Sequence, residues 1–83
     1  MKPVKIFTTP YCAYCVKAKR LLDRKHVPYE EVDVAGDDAA RERLTEQTGM
    51  RTVPQIFIGD TCVGGSDDLH ALEAAGKLDS MLA

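Results

Sequence analysis

The stretch TTPYCAYCVKAKR, residues 8–20, holds two cysteines three positions apart at the point where one periodicity gives way to another. Before it, VKIFTT (Val4–Thr9) is a β-branched and aromatic run with partial alternation, closed by Pro10, which predicts a first strand. After it, Cys15, Ala18, Leu21 and Leu22 recur at helical spacing through a charged stretch, predicting a helix from Ala13 to His26 that Pro28 stops. Cys12 therefore falls in a strand-to-helix turn, and Cys15 one helical turn further on.

Working outward, YEEVDV (Tyr29–Val34) alternates and predicts a second strand. AGDD caps a second helix, Asp38–Thr48, with Gly49 in the usual terminating position. PQIFIG is a short apolar strand, and Gly59-Asp60 followed by TCVGG reads as a hairpin return. SDDLHALEAAG supplies Ser66 as an N-cap, two acids in the first turn, apolar Leu69 and Leu72, and Gly76 at the end, with a last turn in LDSML. The order is βαβαββα. A βαβ unit implies parallel strands with a right-handed crossover, and the hairpin adds two antiparallel strands. The expected product is an α/β fold, a four-stranded mixed sheet with helices on both faces, in a single domain spanning residues 1–83.

Bulk properties narrow the function. The chain has 83 residues, 45% hydrophobic and 29% charged, the balance of an ordinary globular domain with a thin core. No apolar run approaches the ~20 residues needed to cross a bilayer, and MKPVKIFTT lacks an apolar signal core, so a cytoplasmic location is expected. Residues 1–28 carry seven Lys or Arg against one Asp, while residues 29–83 carry four against twelve acids. Lys17, Lys19, Arg20, Arg24 and Lys25 read either as the solvated face of one helix or as a basic rim that attracts anionic substrates. The acidic balance and the lack of aromatics among the basic residues argue against nucleic-acid binding.

Placement gives the cysteine pair its chemistry. At a helix N-terminus, unpaired N–H groups and the positive end of the dipole favour a thiolate over a thiol. Cys12 is then the attacking thiol and the deeper Cys15 the resolving one. Three other readings compete. Zinc needs two such pairs or added histidines at set spacing, and His26, Cys62 and His70 form no second pair. A permanent disulfide is out of place among reduced cytosolic thiols. A half-buried pair without a role is the third. Cys62, alone in its strand, reads as a buried or half-buried core thiol.

Two further stretches ask for an explanation. Pro54 in MRTVPQ stands at a strand start, where proline's missing donor is tolerated, and from spacing alone its peptide bond is expected trans. VGGSDDL joins two glycines, which permit close approach, to a helix opening with two acids. It reads as a capped helix, or as a receptor for an amino-acid-like end, with N–H groups for a carboxylate and an acid for the ammonium.

CAYC after a first strand, TVPQIFI about forty residues on, and GGSDDLHAL after a short hairpin together resemble a dithiol glutaredoxin of the small bacterial type, over essentially the whole chain. The resemblance implies a thioredoxin-like fold in which Pro54 is cis and faces the Cys12 sulfur. It implies glutathione, as reductant and cosubstrate, lying across Thr52, Val53 and Pro54, with Val53 pairing through its backbone to the glutathione cysteine. Gly65, the Ser66 backbone and the Asp67 carboxylate would hold the γ-glutamyl end, and Tyr14 would flank the tripeptide. The implied partners are glutathionylated or disulfide-bonded proteins, reduced by a monomer that needs no metal and serves electron transport and cell redox homeostasis. Two departures stand out. Ala13 replaces the family's usual proline, a change associated in relatives with a glutathione-ligated iron–sulfur cluster, so a cluster carrier is one alternative. Thr9 replaces a lysine that contacts the glycine carboxylate, leaving Arg41, Arg51 or Lys17 to supply that charge. A redoxin fed by thioredoxin reductase is the other alternative, and the Asp67 and TVP constellation argues against it.

Overall fold

The computed structural model describes residues 1–83. Four strands, β1 (Val4–Thr8), β2 (Glu30–Asp33), β3 (Gln55–Ile58) and β4 (Thr61–Gly64), form one sheet in the order β2-β1-β3-β4. β1 pairs parallel with β2 and antiparallel with β3, which pairs antiparallel with β4. The helices are α1 (Ala13–Arg24), α2 (Asp38–Thr48), α3 (Ser66–Ala74) and α4 (Leu78–Leu82). The expected mixed sheet is present, and the last turn forms a short fourth helix. β1 stops at Thr8 rather than Thr9, and β2 is trimmed from Tyr29–Val34 to Glu30–Asp33.

Alternation along β1 and β3 divides the sheet's faces. Val4, Ile6, Ile56 and Ile58 join Ala18, Leu21 and Leu22 of α1, Val27, Leu69 of α3, and Leu78 and Leu82 of α4 in one core. That stripe of α1 is why a helix of negative mean hydropathy still folds: packing, not propensity, supplies its stability. On the other face Phe7 and Phe57 meet edge to face with ring centroids 5.7 Å apart. Gln47 of α2 lies alongside these rings, and Leu44 is that helix's buried residue.

α1 ends two residues before the expected His26. Lys25 is its C-cap, and His26 takes the left-handed position at φ 57°. His26 N–H donates to Asp23 O, and Val27 N–H donates to Leu22 O, both at 3.0 Å. This Schellman pattern buries Val27 against the core without the usual glycine. α2 matches its expected bounds, capped by the Asp37 side chain and closed by Gly49 at φ 77°. The N-cap of α3 is Gly65, not Ser66, which becomes its first helical residue.

Candidate active site

The β1–α1 turn presents Cys12. Its backbone is extended (φ −101°, ψ 107°), and its sulfur accepts a hydrogen bond from Cys15 N–H at 3.1 Å, the place an N-cap oxygen ordinarily fills. The preceding Tyr11 stands out fully into solvent at φ 62°. Cys12 is partly exposed, whereas Cys15 is 1% exposed. Burial, and then the hydrogen bond with the neighbouring Cys12 sulfur, pushes the Cys15 thiol up to about 11. The two cysteines thus differ in access, as their places in the turn and the helix imply.

Behind the pair lies a small cavity of about 280 Å³, lined in part by Thr8, Thr9, Cys12, Cys15, Lys19 and Glu31. The Thr8 hydroxyl donates to Glu31 at 2.8 Å, and Lys19 Nζ meets the same carboxylate oxygen at 3.0 Å. The threonine hydroxyl first, and then the lysine, hold the Glu31 carboxyl below the usual carboxylate range. No sequence pattern singles out this Thr8–Glu31–Lys19 group. Its only signal was one acid on β2 facing one lysine on α1, and that juxtaposition exists only once the βαβ unit has folded.

Cys12 Sγ lies 3.7 Å from Val53 O, bringing the second stretch to the first across 41 positions. The Val53–Pro54 bond is cis, which corrects the trans expectation drawn from spacing and agrees with the one drawn from resemblance. Gln55 fixes the loop ahead of it. Its buried amide donates to Met50 O at 2.9 Å and to Thr52 O at 3.0 Å. Thr52 is exposed, Val53 half-buried and Pro54 buried.

The third stretch closes on the second, since a Cβ on Gly65 would stand 3.5 Å from Pro54 O. Gly64 has φ 107°, and a Cβ there would collide with the Asp68 carboxylate, which accepts from Gly65 N–H at 2.9 Å. The two neighbouring acids that open the helix therefore separate. Asp68 closes the turn, while Asp67 is exposed and enters no ion pair. Ser66 is buried with its hydroxyl 3.4 Å from His70 Nδ1, and at the α3 N-terminus the N-cap glycine offers no side chain, so only Asp68 reaches back to the Gly65 N–H. Tyr14 is half-exposed, with Lys17 Nζ 5.5 Å from its ring centroid, and Lys17 lines one groove with Ser66 and Asp67. Cys12, Val53, Pro54, Gly65 and Ser66 thus form one continuous strip, with Tyr14 and Asp67 at its edge. Cys62 is half-buried on β4, outside this strip. No group of three or more His, Cys, Asp or Glu side chains is arranged to hold a metal ion.

A thioredoxin-like fold with a Cys-x-x-Cys pair at the head of its first helix, facing a cis-proline loop, defines the class of thiol–disulfide oxidoreductases. Comparison with known proteins narrows the class. The glutaredoxin family model matches residues 4–63. The chain is 54% identical to a glutaredoxin of Pseudomonas aeruginosa over 83 residues, covering 100% of this chain and 99% of that one. It is 46% identical to glutaredoxin 3 of Escherichia coli over 82 residues, 99% of each chain. Among solved structures, the buckwheat glutaredoxin–glutathione complex superposes with a TM-score of 0.92 at 36% identity, covering 98% of this chain and 76% of that one. The chain belongs to the glutaredoxin family.

Proposed function

We propose that the protein is a glutathione-dependent oxidoreductase that reduces protein–glutathione mixed disulfides and protein disulfides, with Cys12 as nucleophile and Cys15 as resolving thiol. The observation that carries this reading is the position of the Cys12 sulfur, 3.7 Å from Val53 O, at the head of a strip that runs on to the α3 N-terminus. Glutathione lies along that strip. Its cysteine pairs with the Val53 backbone beside Thr52 and Pro54, and its γ-glutamyl carboxylate passes Gly65 to meet the Ser66 backbone N–H. Its ammonium meets Asp67, and Tyr14 flanks it. The buckwheat relative was solved as a glutathione complex, which supports glutathione as the ligand.

The glycine carboxylate falls at the opposite end. Lys17 shares a groove with Asp67 and so stands at the γ-glutamyl end. Arg41 Nη2 donates to Arg51 O at 3.0 Å, just before Thr52, and these two arginines replace the charge missing at Thr9.

The Cys12 thiolate, held by the Cys15 N–H, attacks the glutathione sulfur of a protein mixed disulfide. The protein thiolate leaves and takes up a proton, and glutathione remains on Cys12. The thiolate of a second glutathione attacks that glutathionyl sulfur, releasing oxidised glutathione and restoring Cys12. With an internal protein disulfide, Cys12 binds one substrate sulfur. Cys15 then loses its proton and attacks the Cys12 sulfur, expelling the reduced protein, and two glutathiones reopen the Cys12–Cys15 bond. No metal takes part in either cycle.

The test replaces Asp67 with alanine. Loss of one charge-assisted contact at an exposed site lowers kcat/KM for glutathione by about tenfold, while any reduction driven by thioredoxin reductase is unchanged. Equal glutathione kinetics in the two proteins would refute the proposed placement.

A further inference from the structure

The cations of α1 and its C-cap divide into two sets. Lys19 is joined to Glu31 at 3.0 Å, and Lys25 to Glu73 at 2.9 Å and Asp79 at 2.7 Å. Lys17, Arg20 and Arg24 have no carboxylate within ion-pair distance. They are exposed and fall at i, i+3 and i+7, one stripe of the helix surface. With Ser66, Asp67 and His70 of α3 they line a groove of about 490 Å³ that no hydrophobic side chain enters. His70 is anchored there by its Nδ1, 2.8 Å from Ser66 O. Three unpaired cations against the single acid Asp67 leave the groove positive on a chain whose net charge is −2. The paired lysines serve the fold. Lys17 lies over the Tyr14 ring and Arg24 stands in the last turn of α1, yet no carboxylate neutralises any of the three, so together they attract an anion.

We infer that this groove docks an acidic segment of the protein substrate, next to the cysteine being reduced. The inference rests on Cys12 as the attacking thiol. Along α1, at 1.5 Å per residue, Lys17 stands about 8 Å and Arg24 about 18 Å from Cys12. An extended chain covers about 3.3 Å per residue, so the side chains that meet the stripe lie about two to five positions from the substrate cysteine. Asp or Glu at those positions fits, whereas Lys or Arg is repelled. The stripe therefore sorts substrates without touching the sulfur chemistry, and its effect fades as salt rises.

The experiment uses the full-length chain and its Arg20→Glu/Arg24→Glu double variant with two peptides of equal length, one with Asp two to five residues from its cysteine and one with Lys there. In the first arm serine replaces the peptide cysteine, and amide NMR shifts of the protein are followed during titration. The acidic peptide should move the amides of residues 17–24 and 66–70. The double variant and 0.5 M salt should both abolish that movement, and the basic peptide should cause none. In the second arm both peptides are glutathionylated and turned over with glutathione. The variant should lose about tenfold in kcat/KM for the acidic peptide and keep its glutathione KM. Equal shifts with both peptides, or none, overturn the docking surface whether or not turnover occurs. A raised glutathione KM in the variant also overturns it, by giving Arg20 and Arg24 to glutathione. Absence of turnover by the wild type with shifts intact counts against the proposed activity and leaves the docking surface standing.

Discussion

The burial of Cys15 gives the two-cysteine route a steep pH dependence. Its thiol is pushed up from an ordinary 9.0 to about 11, by burial first and then by the Cys12 sulfur beside it. Two units mean about 100-fold less thiolate at neutral pH. The rarer thiolate is also the better nucleophile, and with a Brønsted slope of roughly 0.4–0.5 it recovers about tenfold of that loss. The net handicap at pH 7 is therefore about tenfold. Once Cys12 carries the substrate in a mixed disulfide, its own contribution weakens and burial remains, so the inflection stays above 9. The assay forms a fluorescent-peptide mixed disulfide on Cys12 at pH 4, in a Cys62→Ser background, and jumps it to pH values between 6 and 10. Peptide release should accelerate about tenfold per pH unit from 7 to 9 without levelling. A plateau below pH 8 would refute the reasoning, because it would mean that Cys15 is not buried when it attacks.

The same shift has a stability consequence: a folded value above the unfolded one contributes fully below pH 9 and is lost as pH rises through about 11. Urea midpoints should therefore fall between pH 9 and 11 in wild type and much less in Cys15→Ala, compared on each protein's own scale. Gln55→Leu removes the amide that satisfies two loop carbonyls, and should cost about 1–3 kcal/mol in denaturant unfolding while slowing catalysis through the displaced Val53. Gly64→Ala forces a side chain onto φ 107° and into the Asp68 carboxylate, and a loss of about 2–3 kcal/mol is expected in thermal unfolding. Glu31 has its carboxyl lowered by Thr8 and then Lys19, so its contribution is present above the ordinary range and lost as pH falls through the folded value. Glu31→Gln should flatten the decline in urea midpoint between pH 5 and 3.

Much of this fold was legible because its elements announce themselves locally. The spacing of Cys15, Ala18, Leu21 and Leu22 marked the buried stripe of α1, and Gly49 ended α2 at the expected residue. α1 was read two residues too long because His26 occupies the left-handed position that glycine usually marks. Ser66 looked like a cap because serine favours that place. Gly65 takes the role instead, for the chain must first pass close to Pro54 O. The isomer of Pro54 is not written in its neighbours, and only resemblance pointed to cis. The separation of Asp68 from Asp67, and of paired from unpaired cations on α1, depends on contacts that no one-dimensional pattern contains.

The most direct measurement is glutathione-driven turnover of a glutathionylated peptide by the wild type, Cys15→Ser and Cys12→Ser, each first checked for folding by circular dichroism. Wild type and Cys15→Ser should both turn over, because Cys12 alone carries deglutathionylation, and Cys12→Ser should be inactive. Activity retained by Cys12→Ser, or a folded and reduced wild type that does not turn over, would contradict the assignment of Cys12 as the glutathione-dependent nucleophile.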